Sequence, residues 1–300
     1  MIHSRDDPHG CCEHVKRLFF FVLSLLLPGL SFAQTVRSVG PQTVTIPCGN
    51  LQLKGFLWKP DGRGPFPAVL FNHGSGGTDA AHTAGMTFAE AAEKLGPVFV
   101  RHGYAFLYLF RRGQGLSSDQ APFMEDVLQR EETAKGPEAS QHLRLVLLTT
   151  DYLDDVIAAL AFLKGASGID PHRIAVGGHS FGGQLTLLAV ERDATVRAAV
   201  AFDGAALTWE RSSEVRERLL TAVRKASSPI MFIQAANDYS TAPSRAMSDE
   251  LKRLHKPHVL KILPPVDQTP DEGHNAVYMA TPDWESDVFK FLDENLKPIS

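Results

Sequence analysis

From residue 68 onward, short runs of consecutive apolar residues alternate with longer segments whose apolar positions recur every three or four residues. The short runs are typical of strands buried on both faces, and the longer segments are typical of amphipathic helices. Their alternation predicts an α/β fold with a mostly parallel central sheet and helices on both faces. The predicted strands are 68–71, 104–110, 173–176, 196–202, 230–235 and 258–263, and the predicted helices are 83–95, 143–163, 181–190, 213–225, 246–254 and 284–295.

Two segments depart from this alternation. Apolar and polar residues alternate over 43–47 and 51–59 on either side of a Gly-Asn turn, which predicts an N-terminal antiparallel hairpin. Residues 116–141 are polar and charged and are interrupted by a Gly-Pro pair, so we predict an excursion above the strand ends that forms a small helical cap. Because no linker or shift in composition divides the chain, residues 34–300 are predicted to form one domain.

Residues 1–33 have the pattern of a secretory signal peptide. Two basic residues precede an apolar run at 18–27, and Ser31 and Ala33 supply the small side chains of a cleavage site after Ala33. The run is shorter than the roughly 20 residues that span a bilayer. We therefore expect a secreted or periplasmic protein with no membrane attachment after cleavage. Cys48 is then the remaining cysteine, so no disulfide is expected within the mature chain.

The charge balance argues against polyanionic partners. The chain has 30 Lys and Arg residues against 34 Asp and Glu residues, a formal net charge of −4, which leaves no basic surplus for nucleic acid. Nucleic acid is therefore not predicted as a partner, and the oligomeric state stays open. On the site residues described below, we predict a small-molecule or short peptide substrate instead. His255 and His258 have the spacing of a metal-binding pair. Pro257 interrupts that helix and no third ligand is evident, so no metal is predicted.

A G-x-S-x-G sequence occurs at residues 178–182, with Ser180 at its centre. A predicted strand precedes it and a predicted helix follows it, which is the context of a nucleophile elbow. In such a turn, glycines on both sides let neighbouring backbones approach, and the serine hydroxyl projects clear of the sheet. We predict that Ser180 is a nucleophile. The rival interpretation is a glycine-rich turn with an incidental serine.

A serine nucleophile needs a base, and the base needs a carboxylate to orient it. His274 lies between the last predicted strand and the last predicted helix, where a base is expected in this chain order. Asp203 follows strand 196–202 and Asp238 follows strand 230–235. We favour Asp238, because the acid most often follows the penultimate strand of this architecture, and Asp203 is the alternative. Either aspartate also fits a helix N-cap.

The developing oxyanion needs two backbone N–H donors. One is the amide of Phe181, directly after the nucleophile, and the other is expected from the loop 73–77 after the first central strand. We place the second donor at Ser75, with Gly76 as the alternative.

The residues that bind the substrate cannot be identified from the sequence. Arg111 and Arg112 end a predicted strand and fit either a contact with a substrate carboxylate or ion pairs that hold loops. Large side chains near the strand ends or in the predicted cap are candidates for the pocket, and each also fits packing. These candidates are Phe123, Met124, Trp209 and Tyr239.

With these motifs the chain resembles the α/β-hydrolase superfamily, and within it the dienelactone hydrolase-like and prolyl-oligopeptidase-like branch. The resemblance implies an α/β-hydrolase fold and a triad of Ser180, His274 and Asp238 that needs no cofactor. The motifs that carry it occur in family order at residues 72–77, 112–117, 178–183, 237–238 and 273–274.

The resemblance also narrows the chemistry. Family members with dienelactone hydrolase activity often carry cysteine in the elbow, so Ser180 favours hydrolysis of an ester or amide over dienelactone chemistry itself. We predict a serine hydrolase that cleaves a carboxylic ester through an acyl-enzyme. The alternatives are an exported serine peptidase of the prolyl-oligopeptidase-like type and a non-catalytic binding protein with the same fold.

Overall fold

An eight-stranded sheet forms the centre of the computed structural model, which describes residues 40–76, 82–83 and 85–298. Two further strands of two residues each, β4 and β5, pair only with one another. The strands are β1 (Gln42–Cys48), β2 (Leu51–Trp58), β3 (Phe66–Asn72), β4 (His82–Thr83), β5 (Met86–Thr87), β6 (Ala105–Phe110), β7 (Ile169–His179), β8 (Ala198–Phe202), β9 (Ile230–Ala235) and β10 (His258–Leu263).

The order of strands across the main sheet is β1-β2-β6-β3-β7-β8-β9-β10. β1 pairs antiparallel with β2, and β2 pairs antiparallel with β6. Every other neighbouring pair is parallel. The mostly parallel sheet and the N-terminal hairpin predicted from the sequence are therefore confirmed.

Helices cover both faces of the sheet. Alternate side chains of β6 serve opposite faces, so Leu107 and Leu109 belong to one hydrophobic core, and Phe106 and Tyr108 belong to the other. The helices of the described part are α1 (Phe88–Arg101), α2 (Met124–Lys135), α3 (Pro137–Thr149), α4 (Asp151–Gly165), α5 (Phe181–Arg192), α6 (Ser213–Lys225), α7 (Ala242–Arg253), α8 (Pro270–His274), α9 (Ala276–Met279) and α10 (Thr281–Asn295).

The predicted helix 143–163 is wrong as a single element, because the structure divides it between α3 and α4. Thr150 leaves the helical region with φ −119° and ψ −94°. Its hydroxyl donates to the Val146 oxygen at 2.7 Å, a side-chain bond that competes with continuation of the helix. α3 also begins earlier than predicted, at Pro137, because proline is well suited to the first turn of a helix.

The predicted helix 83–95 begins later than expected, at Phe88. Thr87 accepts a bond from the Glu90 amide, and the Glu90 carboxylate accepts one from the Thr87 amide. This capping box satisfies the first free amides of the helix and marks its start.

The predicted signal peptide, residues 1–33, lies outside the described residues. Within residues 40–76, 82–83 and 85–298, no helix has the length and apolar character needed to cross a membrane.

Candidate active site

Ser180 occupies the sharp turn between β7 and α5, with φ 54° and ψ −114°. Residues other than glycine seldom adopt positive φ, and this strained turn exposes the hydroxyl at the end of the sheet. Glycine is required on both sides. A Cβ on Gly182 would lie 2.0 Å from the Asn72 oxygen, and one on Gly178 would lie 2.3 Å from the Gly182 oxygen. The glycines of the motif therefore have a steric cause.

His274 is the last residue of α8, the short helix that follows β10. Its Nε2 lies 2.9 Å from Ser180 Oγ, and its Nδ1 lies 2.9 Å from Asp238 Oδ1. Because a carboxylate only accepts hydrogen bonds, Nδ1 carries the proton and Nε2 is free to accept from the serine hydroxyl. The structure thus brings the predicted serine, histidine and aspartate into one hydrogen-bonded chain.

Local contacts fix the position of His274. Thr269 and Glu272 form a capping box at the start of α8. Gly273 packs against the loop after β9, since a Cβ there would lie 2.6 Å from a side-chain oxygen of that loop. On the buried side, His179 Nε2 donates to the His274 backbone oxygen at 2.7 Å. Burial lowers the pKa of His179 to about 3, so His179 is a neutral donor at pH 7.

Asp238 follows β9, and its side chain is fully buried. Besides the His274 ring, its carboxylate accepts from the Tyr239 amide at 2.6 Å and from Gln234 Nε2 at 2.7 Å. These donors satisfy both oxygens and hold the carboxylate in one orientation. Asp238 therefore fixes which nitrogen of His274 faces the serine.

Asp203, the alternative acid, follows β8 and is completely buried. In the described part of the chain, neither of its side-chain oxygens meets a donor at hydrogen-bonding geometry. Burial, with the neighbouring Asp238 carboxylate as a second cause, raises the pKa of Asp203 well above its usual range. The raised pKa favours the protonated form of Asp203, and the geometry brings Asp238 rather than Asp203 to His274.

The two predicted oxyanion donors belong to residues that line the same cleft as Ser180. The amide of Phe181 is the first of α5 and has no partner within the helix. The backbone amide of Ser75 has no acceptor among the residues that the structure describes. Ser75, Ser180 and Phe181 all line the same cleft. Gly76 is described as well, with φ 84°, whereas Gly77 lies outside the described residues.

The cleft above Ser180 has a volume of about 400 Å³ and a lining of mixed character, in which polar side chains alternate with Pro137, Ala205, Leu207 and Val215. Helices α2 and α3 line one side, where Arg144 donates two hydrogen bonds to Glu125 at 2.9 and 2.7 Å. The segment between β8 and α6 lines another. Arg211 in that segment makes no hydrogen bond through its side chain to any described residue. The remaining polar lining residues are Glu132, Ser140, Gln141, Gln184, Thr208 and Ser212.

The aromatic and apolar candidates for the pocket do not line this cleft. Phe123, Met124 and Trp209 are buried, and Met124 and Trp209 pack into a hydrophobic core. Tyr239 is 46% exposed and packs edge-on against the His274 ring, with centroids 5.5 Å apart. The cleft-lining residues could not be predicted, because polar side chains on a helix also fit an ordinary solvated face.

The two arginines at the end of β6 are also placed away from the cleft. Arg111 is completely buried, and Arg112 pairs with Asp155 at 2.6 Å and Asp151 at 3.1 Å. Of the two interpretations of these arginines, Arg112 therefore fits the one in which an ion pair holds a loop.

Gln234 is a site residue that the sequence analysis missed. The sequence does mark this residue, because Gln234 is the polar residue in an otherwise apolar strand. A buried amide in such a strand needs partners, and its Nε2 donates to Asp238 and to the Ser240 backbone oxygen.

The strand order, the strained serine turn after β7 and the aspartate and histidine after β9 and β10 define an α/β-hydrolase fold. Residues 53–269 match the Dienelactone hydrolase family, and the chain belongs to that family.

One curated relative is a protein of Synechocystis sp. named "Putative carboxymethylenebutenolidase", 27% identical over 55% of this chain and 58% of its own length. The chain spans about half the length of the curated relatives it matches. Two solved structures share the fold. The acylaminoacyl peptidase of Pyrococcus horikoshii has a TM-score of 0.60 at 18% identity, over 89% of this chain and 43% of that one. The dienelactone hydrolase of Anabaena variabilis has a TM-score of 0.58 at 19% identity, over 86% of this chain and 100% of that one.

Proposed function

We propose that the protein is a serine hydrolase that cleaves carboxylic esters through an acyl-enzyme on Ser180. The observation that carries this proposal is the hydrogen-bonded chain from Ser180 Oγ through His274 to Asp238, with 2.9 Å at each step. The chain ends in an open cleft beside two backbone amides. Nucleophile, base, orienting acid and oxyanion donors are the groups that acyl transfer requires.

The proposed reaction has two halves. Ser180 Oγ attacks the substrate carbonyl carbon while His274 Nε2 takes the hydroxyl proton, and Asp238 stabilises the resulting imidazolium. The carbonyl oxygen becomes an anion held by the amides of Phe181 and Ser75. When the intermediate collapses, His274 gives its proton to the leaving alcohol. Water then attacks the acyl-enzyme with the same proton transfers and releases the carboxylic acid.

An ester substrate is favoured over an amide for two reasons. An alkoxide leaves with less help from a general acid than an amine does, and within the described residues Ser180 Oγ hydrogen-bonds to His274 alone. The butenolide in the name of the Synechocystis relative is a cyclic ester. A serine peptidase is the second candidate, because the polar side chains in the cleft lining offer hydrogen-bonding groups for a peptide backbone and the apolar ones offer contacts for its side chains.

Labelling by a fluorophosphonate probe tests the proposal, because only an activated serine reacts with it. The wild type is expected to label at Ser180, and Ser180→Ala and His274→Ala are expected to lose the label. Ser118 is exposed and makes no side-chain hydrogen bond to a described residue, so Ser118→Ala is the matched control that keeps it. Equal labelling of the wild type and Ser180→Ala would contradict the assignment.

A matched ester and amide with the same acyl group separate the two candidates. We expect ester turnover to exceed amide turnover by orders of magnitude, and comparable rates would favour the peptidase. A wild type that neither labels nor turns over a broad panel would favour a binding protein.

We also propose export, on the signal-peptide pattern of residues 1–33. The N-terminal sequence of the protein recovered outside the cytoplasm is expected to begin at Gln34. Recovery of the full-length chain from the cytoplasm would contradict export.

A further inference from the structure

The loop that carries Ser75 is anchored from its buried side by Arg111 and Gln114. Arg111 Nη1 donates to the His73 backbone oxygen and Nη2 to the Gly74 backbone oxygen, both at 2.7 Å. Gln114 Nε2 donates to the Ser75 backbone oxygen at 2.5 Å. Arg111 Nη2 also donates to Gln114 Oε1 at 3.2 Å. One connected pair of side chains therefore holds three successive carbonyl oxygens of the loop.

These bonds fix the direction of the amides that follow each carbonyl. A trans peptide group is planar, and its C=O and N–H bonds point in opposite directions. The Gly74 oxygen and the Ser75 N–H belong to one such group. Because Arg111 binds the oxygen from the buried side, the Ser75 N–H must point away from Arg111. Gln114 orients the Gly76 N–H in the same way, through the Ser75 oxygen.

Arg111 also touches the segment that supplies the other amide. Its guanidinium carbon lies 5.4 Å from the centre of the Phe181 ring. Phe181 is the residue whose backbone N–H is the first proposed oxyanion donor. A single side chain therefore binds the loop of Ser75 and packs against the side chain of the residue that supplies the other proposed donor.

The bonding of Arg111 differs from that of its neighbour Arg112. Arg112 donates to the Asp155 carboxylate, an ordinary ion pair. The described hydrogen bonds of Arg111 go instead to backbone oxygens and neutral side chains. Burial lowers the pKa of Arg111 to about 10, so the group is still a cation at pH 7. A buried cation is costly unless its donors are used. Arg111 uses both terminal nitrogens, mainly on the loop of Ser75, whereas its Nε has no partner among the described residues.

We propose that Arg111 and Gln114 are positioning residues of the oxyanion hole, which aim the Ser75 amide at the developing anion. This inference rests on the proposed function. Donors that are oriented in advance stabilise the transition state without reorganisation during the reaction. Loosening the anchor therefore weakens transition-state binding and leaves substrate binding nearly unchanged.

Two variants each weaken a different part of the anchor formed by Arg111 and Gln114. Arg111→Lys keeps the charge, but a single ammonium group cannot reproduce the planar fork that binds two carbonyls. Gln114→Met keeps the side-chain length and removes the bond to the Ser75 oxygen. Arg112→Lys is the matched control, because it weakens a partly buried ion pair that makes no contact with the loop.

The measurements separate positioning from a general loss of structure. For each folded variant, kcat and KM are measured with p-nitrophenyl acetate. Inhibition constants are measured for a phenyl trifluoromethyl ketone, which forms a tetrahedral oxyanion on an active serine, and for the methyl ketone that does not. Removing an entire oxyanion donor lowers kcat by about 10²–10³-fold, so removing its anchor is expected to lower kcat by about 10–100-fold.

We expect trifluoromethyl ketone affinity to fall by a similar factor in Arg111→Lys and Gln114→Met, with KM and methyl ketone affinity changed less than about threefold. Arg112→Lys is expected to keep all of these values. Losses below threefold in both anchor variants, or equal losses for the two ketones, would overturn the inference. If Arg111→Lys does not fold, Gln114→Met decides. A wild type without Ser180-dependent hydrolysis would instead overturn the proposed function, and that result is visible before any anchor variant is made.

Discussion

The two sides of the cleft are built in different ways. On the floor, Ser180, His274 and Asp238 stand in or beside turns at the ends of strands, and packed glycines and hydrogen bonds fix each turn. The opposite wall is formed by α2 and α3, which are held to the rest by few buried side chains. In α2 those are Met124 and Leu128. The positions of the groups on the floor depend on backbone geometry, whereas the character of the wall depends on surface side chains.

This difference assigns separate tasks to the two sides. Bond formation and proton transfer require the reacting groups to be held at fixed distances and orientations. The tightly packed floor of the cleft meets this requirement. A wall with exposed polar groups can vary without disturbing the floor. We therefore expect floor variants to change kcat or folding, and wall variants to change KM.

The largest expected effect comes from substituting Asp238, and the same substitution at the neighbouring Asp203 provides the comparison. Asp238→Asn is expected to lower kcat by about 10³–10⁴-fold, because an amide facing His274 Nδ1 favours the wrong tautomer of the ring. Asp203→Asn is expected to cost less than about tenfold, because Asp203 makes no hydrogen bond to His274 among the described residues and stands outside the chain from Ser180 to Asp238. Steady-state kinetics at pH 7 measure both. A larger loss for Asp203→Asn would make Asp203 the catalytic acid.

The packing of the serine turn predicts a large effect on folding. Gly182→Ala would place a Cβ 2.0 Å from the Asn72 backbone oxygen, and we expect a loss of about 3 kcal/mol or more in the free energy of unfolding. Gly165→Ala is the matched control, since nothing lies within 4 Å of its Cβ. At the end of α4 alanine is expected to add up to about 1 kcal/mol. Urea unfolding of both variants measures the contrast, and similar values for the two would contradict it.

Buried Asp203 predicts how stability depends on pH. Its pKa is raised in the folded protein, so between the unfolded value of about 3.9 and that raised value the folded state binds more protons than the unfolded state. The contribution of Asp203 to stability therefore falls as pH rises through this window. Asp203→Asn is expected to gain stability relative to the wild type as pH rises from 4.5 to 8. Asparagine also suits the positive φ of 54° at this position.

Urea unfolding of the two proteins at several pH values tests this expectation. A constant difference in the free energy of unfolding across the window would show that Asp203 titrates normally.

We expect the smallest effect on catalysis from substitutions in the wall formed by α2 and α3. Arg144→Met removes the ion pair with Glu125, in which both side chains are about a quarter exposed. Such a pair contributes up to about 1 kcal/mol, so we expect KM to change by up to about fivefold with kcat within twofold. Arg218→Met, which removes a similarly exposed pair with Glu191 that does not line the cleft, is the control. A tenfold fall in kcat at constant KM would place Arg144 in the catalytic machinery.

The contrast between floor and wall also explains what the sequence could predict. Ser180 was identifiable because its strained turn demands glycines at fixed positions, and those glycines are visible in the chain. Asp238 was favoured from its place after the penultimate strand, but Asp203 stayed an alternative, because both follow strands and only the path of the loops decides which one meets His274. Helix α2 lies within the predicted helical cap, whereas the extent of α3 was not predicted, because Gly136 and Thr150 bound it and neither residue type excludes a helix by itself.

The residues that line the cleft could not be predicted from the sequence for a related reason. Arg211 and Glu132 have the pattern of a solvated helix or loop, and only the packing of distant segments turns them toward one cleft. Arg111 was placed correctly at the end of a strand, but its bonds to the loop of Ser75 depend on the neighbouring strand β3.

The central claim is that Ser180 carries the acyl group during turnover. It is tested most directly with a p-nitrophenyl carbamate, because carbamoyl-enzymes hydrolyse slowly and accumulate. The account predicts release of one equivalent of p-nitrophenol per chain and a carbamoyl group on the peptide that contains Ser180, with neither in Ser180→Ala. Release of p-nitrophenol with the carbamoyl group on another residue, or with no modified peptide, would contradict the account.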